Sequence, residues 1–384
     1  MKNFLRFLSY VLVAAIASCV TMFYVQTAGT DSGLAKLSQL ENLIEQRFIG
    51  EEDPKLMYDA AATAMVDSLG DRWSHYLSAE NYAAHMEQSK NAYVGIGVTV
   101  TTREDGSLDI TKVEENGPAK DAGIVAGDIL VAVSGKRISE IGIDEARTLI
   151  RGKAGTKVEV EVLRGAETLH LTVTRREIQT VVATGKMLTD TVGLVRIVNF
   201  DSRCAAETIA AIESLLEQGA QALIFDVRYN PGGYKSELVK VLDYLLPAGP
   251  LFRSEDYKGT TQVDTSDDKC LEIPMAVLVN ASSYSAAEFF AAALSEYDAA
   301  EVVGQATIGK GHFQNTFALR DGSGVMLSIG KYTTPNGVSL DGVGITPDIP
   351  VEVDEETAAK IYAGTLDSLE DPQIQAALNA LKAA

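Results

Sequence analysis

Two side chains offer the clearest chemistry in this sequence. Ser285 stands where an apolar, strand-like run at 274–280 gives way to 286–294, a stretch rich in helix formers. Lys310 follows a second short strand at 301–304 and sits between Gly309 and Gly311. A hydroxyl at a helix N-terminus faces unpaired backbone N–H groups, which can hold a developing oxyanion. Serine alone is a weak nucleophile and needs a base. The four histidines, His75, His85, His170 and His312, show no triad spacing with an acid. A buried lysine can take that place, because desolvation disfavours the ammonium and lowers its pKa. The same residues also have a plainer use. Ser285-Ala286-Ala287-Glu288 reads as a capping box, with Glu288 reaching back to the serine, and Lys310 alone reads as a surface lysine.

The wider pattern decides between these uses. Val-Leu-Val-Asn-x-x-Ser-x-Ser-x-x-Glu (277–288), then Val-Val-Gly-x-x-x-x-Gly-Lys-Gly-x-x-Gln (302–314), resembles the carboxy-terminal processing peptidases, tail-specific serine proteases of family S41. The resemblance implies Ser285 as nucleophile, Lys310 as general base and Gln314 as the group that orients the lysine. Asn230-Pro231-Gly232-Gly233, at the end of the buried strand 221–228, matches the family's second hallmark. By resemblance Gly232 or Gly233 supplies one oxyanion donor and Ala286 the other. This chain departs from the family pattern at Tyr284, Ala287 and His312.

These residues need elements to position them. Strand 193–197, helix 205–217, strand 221–228 and helix 236–245 alternate as in an α/β domain, and the apolar strands suit a parallel sheet. Upstream, strands at 110–113, 127–133, 157–163 and 168–175, short helices from 117 and at 143–150, and Gly-Pro-Ala with Ala-Gly-x-x-x-Gly-Asp resemble a PDZ domain. Such domains bind a peptide C-terminus as an added strand. The resemblance makes Tyr93, Val94, Gly95, Ile96 and Gly97 the carboxylate-binding loop. Residues 34–87 read as helical, and Trp73, the only tryptophan, reads as a packing hub between helices. Segments 331–337 and 342–348 match family signatures of a structural kind, Asp226 and Arg228 read as strand-end structure, and two helices meeting at Asp371-Pro372 close the chain.

Composition bounds the rest. The 384 residues carry 53 acidic and 33 basic side chains, a formal charge of −20, which argues against nucleic acid. Cys19, Cys204 and Cys270 show neither metal spacing nor a disulfide framework, and Cys204 with Cys270 is the one pairing left open. Lys2 and Arg6 precede an apolar run at 7–25, close to the ~20 residues of a membrane span. A signal anchor is expected there, against a cleaved signal or lipidation at Cys19.

The expected fold class is therefore α/β (mixed α+β). A signal anchor at 1–29 and N-terminal helices at 30–90 lead into a β-barrel-like PDZ domain at 91–178. An α/β peptidase domain of the ClpP/crotonase-like type follows at 179–354, with a C-terminal helical tail at 355–384. The expected activity is that of an exported serine endopeptidase cutting proteins near their C-termini through a Ser–Lys dyad. Its expected place is the cell membrane, single-pass, with the catalytic part on the extracytoplasmic side. The expected partners are protein substrates held by their tails and the membrane, with a homodimer left open. No nucleic acid, metal or cofactor is implied. The rival is an inactive peptide-binding scaffold: Ser285 and Lys310 argue against it, while Tyr284 and His312 beside them keep it open. An α/β esterase needs a Gly-x-Ser-x-Gly elbow, which is missing around Ser285.

Overall fold

The computed structural model describes residues 33–89, 91–103 and 105–383, together with residue 18. The chain divides into two units, Met1–Gly70 and Asp71–Ala384. In the first, helix Pro54–Asp67 begins with proline in its first turn, and the Asp53 carboxylate accepts from the N–H groups of Lys55 and Leu56. Neither it nor helix Gly33–Arg47 has a buried residue.

The second unit is built on a six-stranded sheet with the spatial order Ala183–Met187, Val192–Ile197, Ala222–Asp226, Met275–Val279, Ala300–Gly304 and Ile349–Pro350. The first pair is antiparallel and the rest are parallel. Strands Ala222–Asp226 and Met275–Val279 are buried at every position, because both sheet faces are covered. Helices Cys204–Glu217, Lys235–Leu245 and Ala286–Glu296 share a core that includes Phe200, Phe225, Phe289 and Phe290. Leu194, Ile224, Ala276 and Leu278 point to the opposite face, where Ile374, Ala377 and Leu378 of helix Pro372–Ala383 cover them. Polar contacts hold that helix in register. Buried Arg228 pairs with Asp226 at 2.8 Å and reaches Asp371 and Gln373, each at 2.8 Å.

A second, antiparallel sheet was not legible in the sequence. It runs His75–Leu77, Gly324–Thr333, Gly249–Asp256, Thr261–Ser266, with His312–Ala318 also paired to Gly324–Thr333. Its strands carry mixed, partly exposed residues rather than a clean alternation.

The third sheet is the expected PDZ-like one. Val98–Thr102, Leu108–Val113, Ile129–Val133, Lys157–Arg164 and Glu167–Thr174 are joined antiparallel, around a core with Ile96, Leu130 and Val160. Helix Ile138–Ile150 is broken at Gly142 (φ 77°, ψ 170°). The unbroken part therefore begins at 143, where the sequence places it.

One expectation is corrected, and one pairing left open is resolved. The signal anchor at 7–25 falls, apart from residue 18, outside the described residues, and among the described residues no helix is long and apolar enough to cross a membrane. The expected place, a single-pass cell-membrane protein with its catalytic part outside the cytoplasm, has no such helix behind it and is withdrawn. Cys204 and Cys270 do not pair: both thiols are free, and Cys204 is buried.

Candidate active site

Two loops that follow neighbouring parallel strands are stitched together to make the site. Asn280 Oδ1 accepts from the N–H groups of Tyr229 and Ser282 at 3.0 and 3.1 Å. Ser283 Oγ donates to the Val227 carbonyl at 2.8 Å and accepts from Asn280 N–H at 3.0 Å. Tyr284 N–H donates to the Asn230 carbonyl at 3.1 Å. These bonds hold Ser285 at φ 59° and ψ −127°, a conformation costly for any residue but glycine. Such strain at a strand-to-helix turn exposes a hydroxyl to a cleft. The helix behind it cannot slide, since residues 286–294 are all buried and Phe289 and Phe290 pack in the aromatic core.

The Asn-Pro-Gly-Gly loop lies against this turn. A Cβ on Gly232 (φ 90°) would stand 2.7 Å from Ser285 Cβ and 2.9 Å from Ala286 N, so glycine is required there. Gly232 N–H is already used, donating to Asn230 Oδ1 at 2.8 Å. The N–H groups of Gly233 and Ala286 have no partner among the described residues. Gly232→Ala is expected to lower cleavage by about 10²-fold through displacement of Ser285. Steady-state kinetics of a variant with parental thermal stability checks this.

Lys310 lies in the same cleft, a space of ≈ 1110 Å³ that Gly232, Gly233, Ser285, Ala286 and Gln314 also line. Its Nζ is 4.6 Å from the centre of the Trp73 ring and 5.7 Å from that of Tyr284, and these two rings stack at 6.0 Å. Burial pulls the Lys310 ammonium down to about 8; Asp71 and Glu288 oppose the fall, and Arg72 assists it.

Ser285 and Lys310 are not hydrogen-bonded to each other. Ser285 Oγ lies 2.8 Å from Tyr332 Oη, and the Lys310 amine rests on the aromatic pair. Burial pushes the Tyr332 phenol well above its ordinary value, so it acts as a neutral hydrogen-bond partner. Gln314 donates to the His312 carbonyl and to Ser328 Oγ, both at 3.0 Å, and not to Lys310. His312 faces Asp341 at 3.1 Å.

Residues 93–97 lie apart from this cleft. Tyr93, Val94 and Gly95 belong to strand Ala92–Gly95, paired with Arg176–Gln179. The carbonyls of Ile96 and Gly97 accept from Ala119 and Glu114, while their own N–H groups have no partner among the described residues.

Sequence reasoning missed two neighbours of the site. Trp73 is the face on which Lys310 rests, not a hub between helices. Tyr332 touches the serine, although its segment was read as structural; its one signal was a place inside a family signature. Tyr284 was flagged as a departure, and it is the other half of the lysine's aromatic bed.

Comparison with known proteins places this arrangement. Residues 191–351 match peptidase family S41, and residues 110–164 match a PDZ domain. The chain is 32% identical over 366 residues to the carboxy-terminal processing protease CtpA of Bacillus subtilis (strain 168), covering 92% of this chain and 78% of that protein. It is 30% identical over 365 residues to a probable CtpA-like serine protease of Staphylococcus aureus (strain COL), covering 92% and 73%. A solved putative S41 protease from Bacteroides fragilis NCTC 9343 superimposes with a TM-score of 0.56 over 88% of this chain and 92% of that one; at 15% identity it speaks for the fold alone. Fold and matches together define a serine protease with a PDZ domain. The chain belongs to peptidase family S41, among the carboxy-terminal processing proteases.

Proposed function

We propose that the protein cuts polypeptides near their C-termini, with Ser285 as nucleophile and Lys310 as general base. The observation that carries this reading is an amine lowered to about 8 by burial, sharing a cleft with a hydroxyl on a strained turn. At neutral pH part of such an amine is uncharged and able to accept a proton. Lys310 takes the proton from Ser285 Oγ as the oxygen attacks the scissile carbonyl. The free N–H groups of Gly233 and Ala286 receive the oxyanion, which favours Gly233 over Gly232 as donor. Lys310 returns the proton to the leaving amine and then activates the water that opens the acyl-enzyme. Each side chain must first exchange its partner: the serine leaves Tyr332, and the lysine leaves Trp73 and Tyr284. Gln314 orients Lys310 only after the same exchange.

A PDZ domain over 91–178 would hold the substrate's tail ahead of a catalytic domain over 179–354. Strand Val98–Thr102 lies at the end of its sheet, paired on one side only, so a peptide can add as a further strand. The unpartnered N–H groups of Ile96 and Gly97 lie just before it, suited to a terminal carboxylate.

The missing bond between Ser285 and Lys310 favours one other reading, a peptide-holding scaffold without activity. Ser285→Ala decides between them. With an unfolded test protein ending in apolar residues, the variant is expected to cleave at least ~10³-fold more slowly than the parent. A parent as inert as the variant establishes the scaffold; cleavage undiminished in the variant assigns the nucleophile elsewhere.

A further inference from the structure

We infer that Glu288 is the positioning residue of the pair: one buried carboxylate sets the spacing between the serine turn and the lysine loop. The inference rests on the reading of Ser285 and Lys310 given above. Glu288 is fully buried and takes four hydrogen bonds. Oε2 accepts from the backbone N–H of Ser285 at 2.8 Å and from that of Lys310 at 2.9 Å. Oε1 accepts from Gly309 N–H at 2.7 Å and from Thr307 Oγ1 at 2.5 Å. A capping box accounts for the first of these bonds alone. The other three go to the opposite loop.

That loop needs such a hold. It follows strand Ala300–Gly304 and precedes strand His312–Ala318, with no ladder of its own. Behind it stands the turn at 340–344, where Gly342 N–H donates to the Gly309 carbonyl at 2.9 Å. On the serine side Glu288 takes three bonds from it, beside one longer backbone bond from Ile308 N–H to the Ser283 carbonyl at 3.4 Å. Both backbone N–H groups of the pair therefore hang on one oxygen of a side chain fixed in a buried helix. A shift of that oxygen moves nucleophile and base relative to each other, and proton transfer does not tolerate such shifts.

The carboxylate also acts by charge. The groups acting on the Lys310 amine are Asp71 and Arg72, from the segment before strand His75–Leu77, and Glu288 itself. Glu288 and Asp341 both act on Tyr332, from strand Gly324–Thr333. Glu288 raises the lysine against the fall that burial imposes, so its neutralisation moves the activity profile to lower pH.

Three measurements test this. Glu288→Gln keeps the length, removes the charge and turns a donor toward donors. Its kcat is expected to fall roughly 10²-fold with KM changed less than about threefold, and the rising limb of its pH profile is expected to move below the parent's. Glu288→Asp keeps the charge and withdraws the oxygens; kcat is expected to fall similarly with the limb unmoved. A kcat for Glu288→Gln within threefold of the parent's, or a lower kcat with an unmoved limb, overturns the inference and leaves a helix cap. Should neither variant fold, hydrogen exchange on the intact parent decides. The amides of Ser285, Gly309 and Lys310 are expected to be protected together; rapid exchange at Gly309 and Lys310 with protection at Ser285 overturns it. Ser285→Ala in the same assay separates the two ideas. Cleavage by that variant removes the reading of the pair, whereas an inert Ser285→Ala beside an unimpaired Glu288→Gln removes only the role of Glu288.

Discussion

Replacing Lys310 by alanine is expected to lower kcat/KM by about 10²–10⁴-fold, the usual reach of a general base. The parent's activity is expected to rise through a midpoint near pH 8, because burial holds the Lys310 amine at about 8 rather than 10.5. The sign follows from the form required. The base must be neutral, so activity is low below about 8 and levels off above it. An exposed lysine would place the limb more than two units higher. Stability carries the same signature. Between about 8 and 10.5 the unfolded chain holds a proton that the folded chain has released, so folding strengthens as pH rises through that window. Below it the folded protein bears the cost of a poorly solvated ammonium. Lys310→Met should therefore be inert yet more resistant to denaturant at pH 7, by on the order of 1–3 kcal/mol. A pH-rate profile and urea melts of both variants check the two halves. A limb centred near 10.5, or a rate that does not vary with pH, assigns the proton to another group.

Replacing Arg228 by methionine is expected to destabilise the second unit by about 3–5 kcal/mol. The guanidinium is buried and pairs with two buried carboxylates, Asp226 and Asp371. Burial alone would raise the Asp226 carboxyl, but Arg228 outweighs it and holds that carboxyl below its ordinary value. Without the arginine Asp371 loses its buried ion-pair partner, and Asp226 is left with only the weaker pull of Arg196. The effect also has a place in the fold. Asp371 caps the start of helix Pro372–Ala383, accepting from Gln373 N–H at 2.9 Å, so the loss should loosen that helix first. Urea unfolding followed by circular dichroism, with proteolysis of the C-terminal helix as local readout, checks it. A cost below about 1 kcal/mol would mean that the pair and its neighbours are solvated.

The strands of the central sheet were legible because they are apolar from end to end, and the helices between them because Gly and Pro punctuate the joins. Ser285 and Lys310 were legible as parts of long motifs around an unusual pairing of residue types. The antiparallel sheet was not. Strand Gly324–Thr333 is only partly buried, and its short apolar run at 325–329 lies between Gly324 and Gly330. Without that sheet, nothing in the sequence brings Tyr332 to the serine. The bonding of Glu288 was half visible: a capping box records what happens within one helix, while three of its bonds reach residues 307–310. Trp73 failed for a similar reason. A lone tryptophan among helical segments looks like core, and only the fold brings the lysine to its face.

The cleft draws on segments spread from Trp73 to Tyr332. A ribosome that has delivered the first strands of the central sheet has therefore delivered no enzyme, since the wall at Tyr332 and the turn behind Lys310 are still to come. A chain that stops before Tyr332 lacks a wall of the cleft, so the site is complete only late in synthesis.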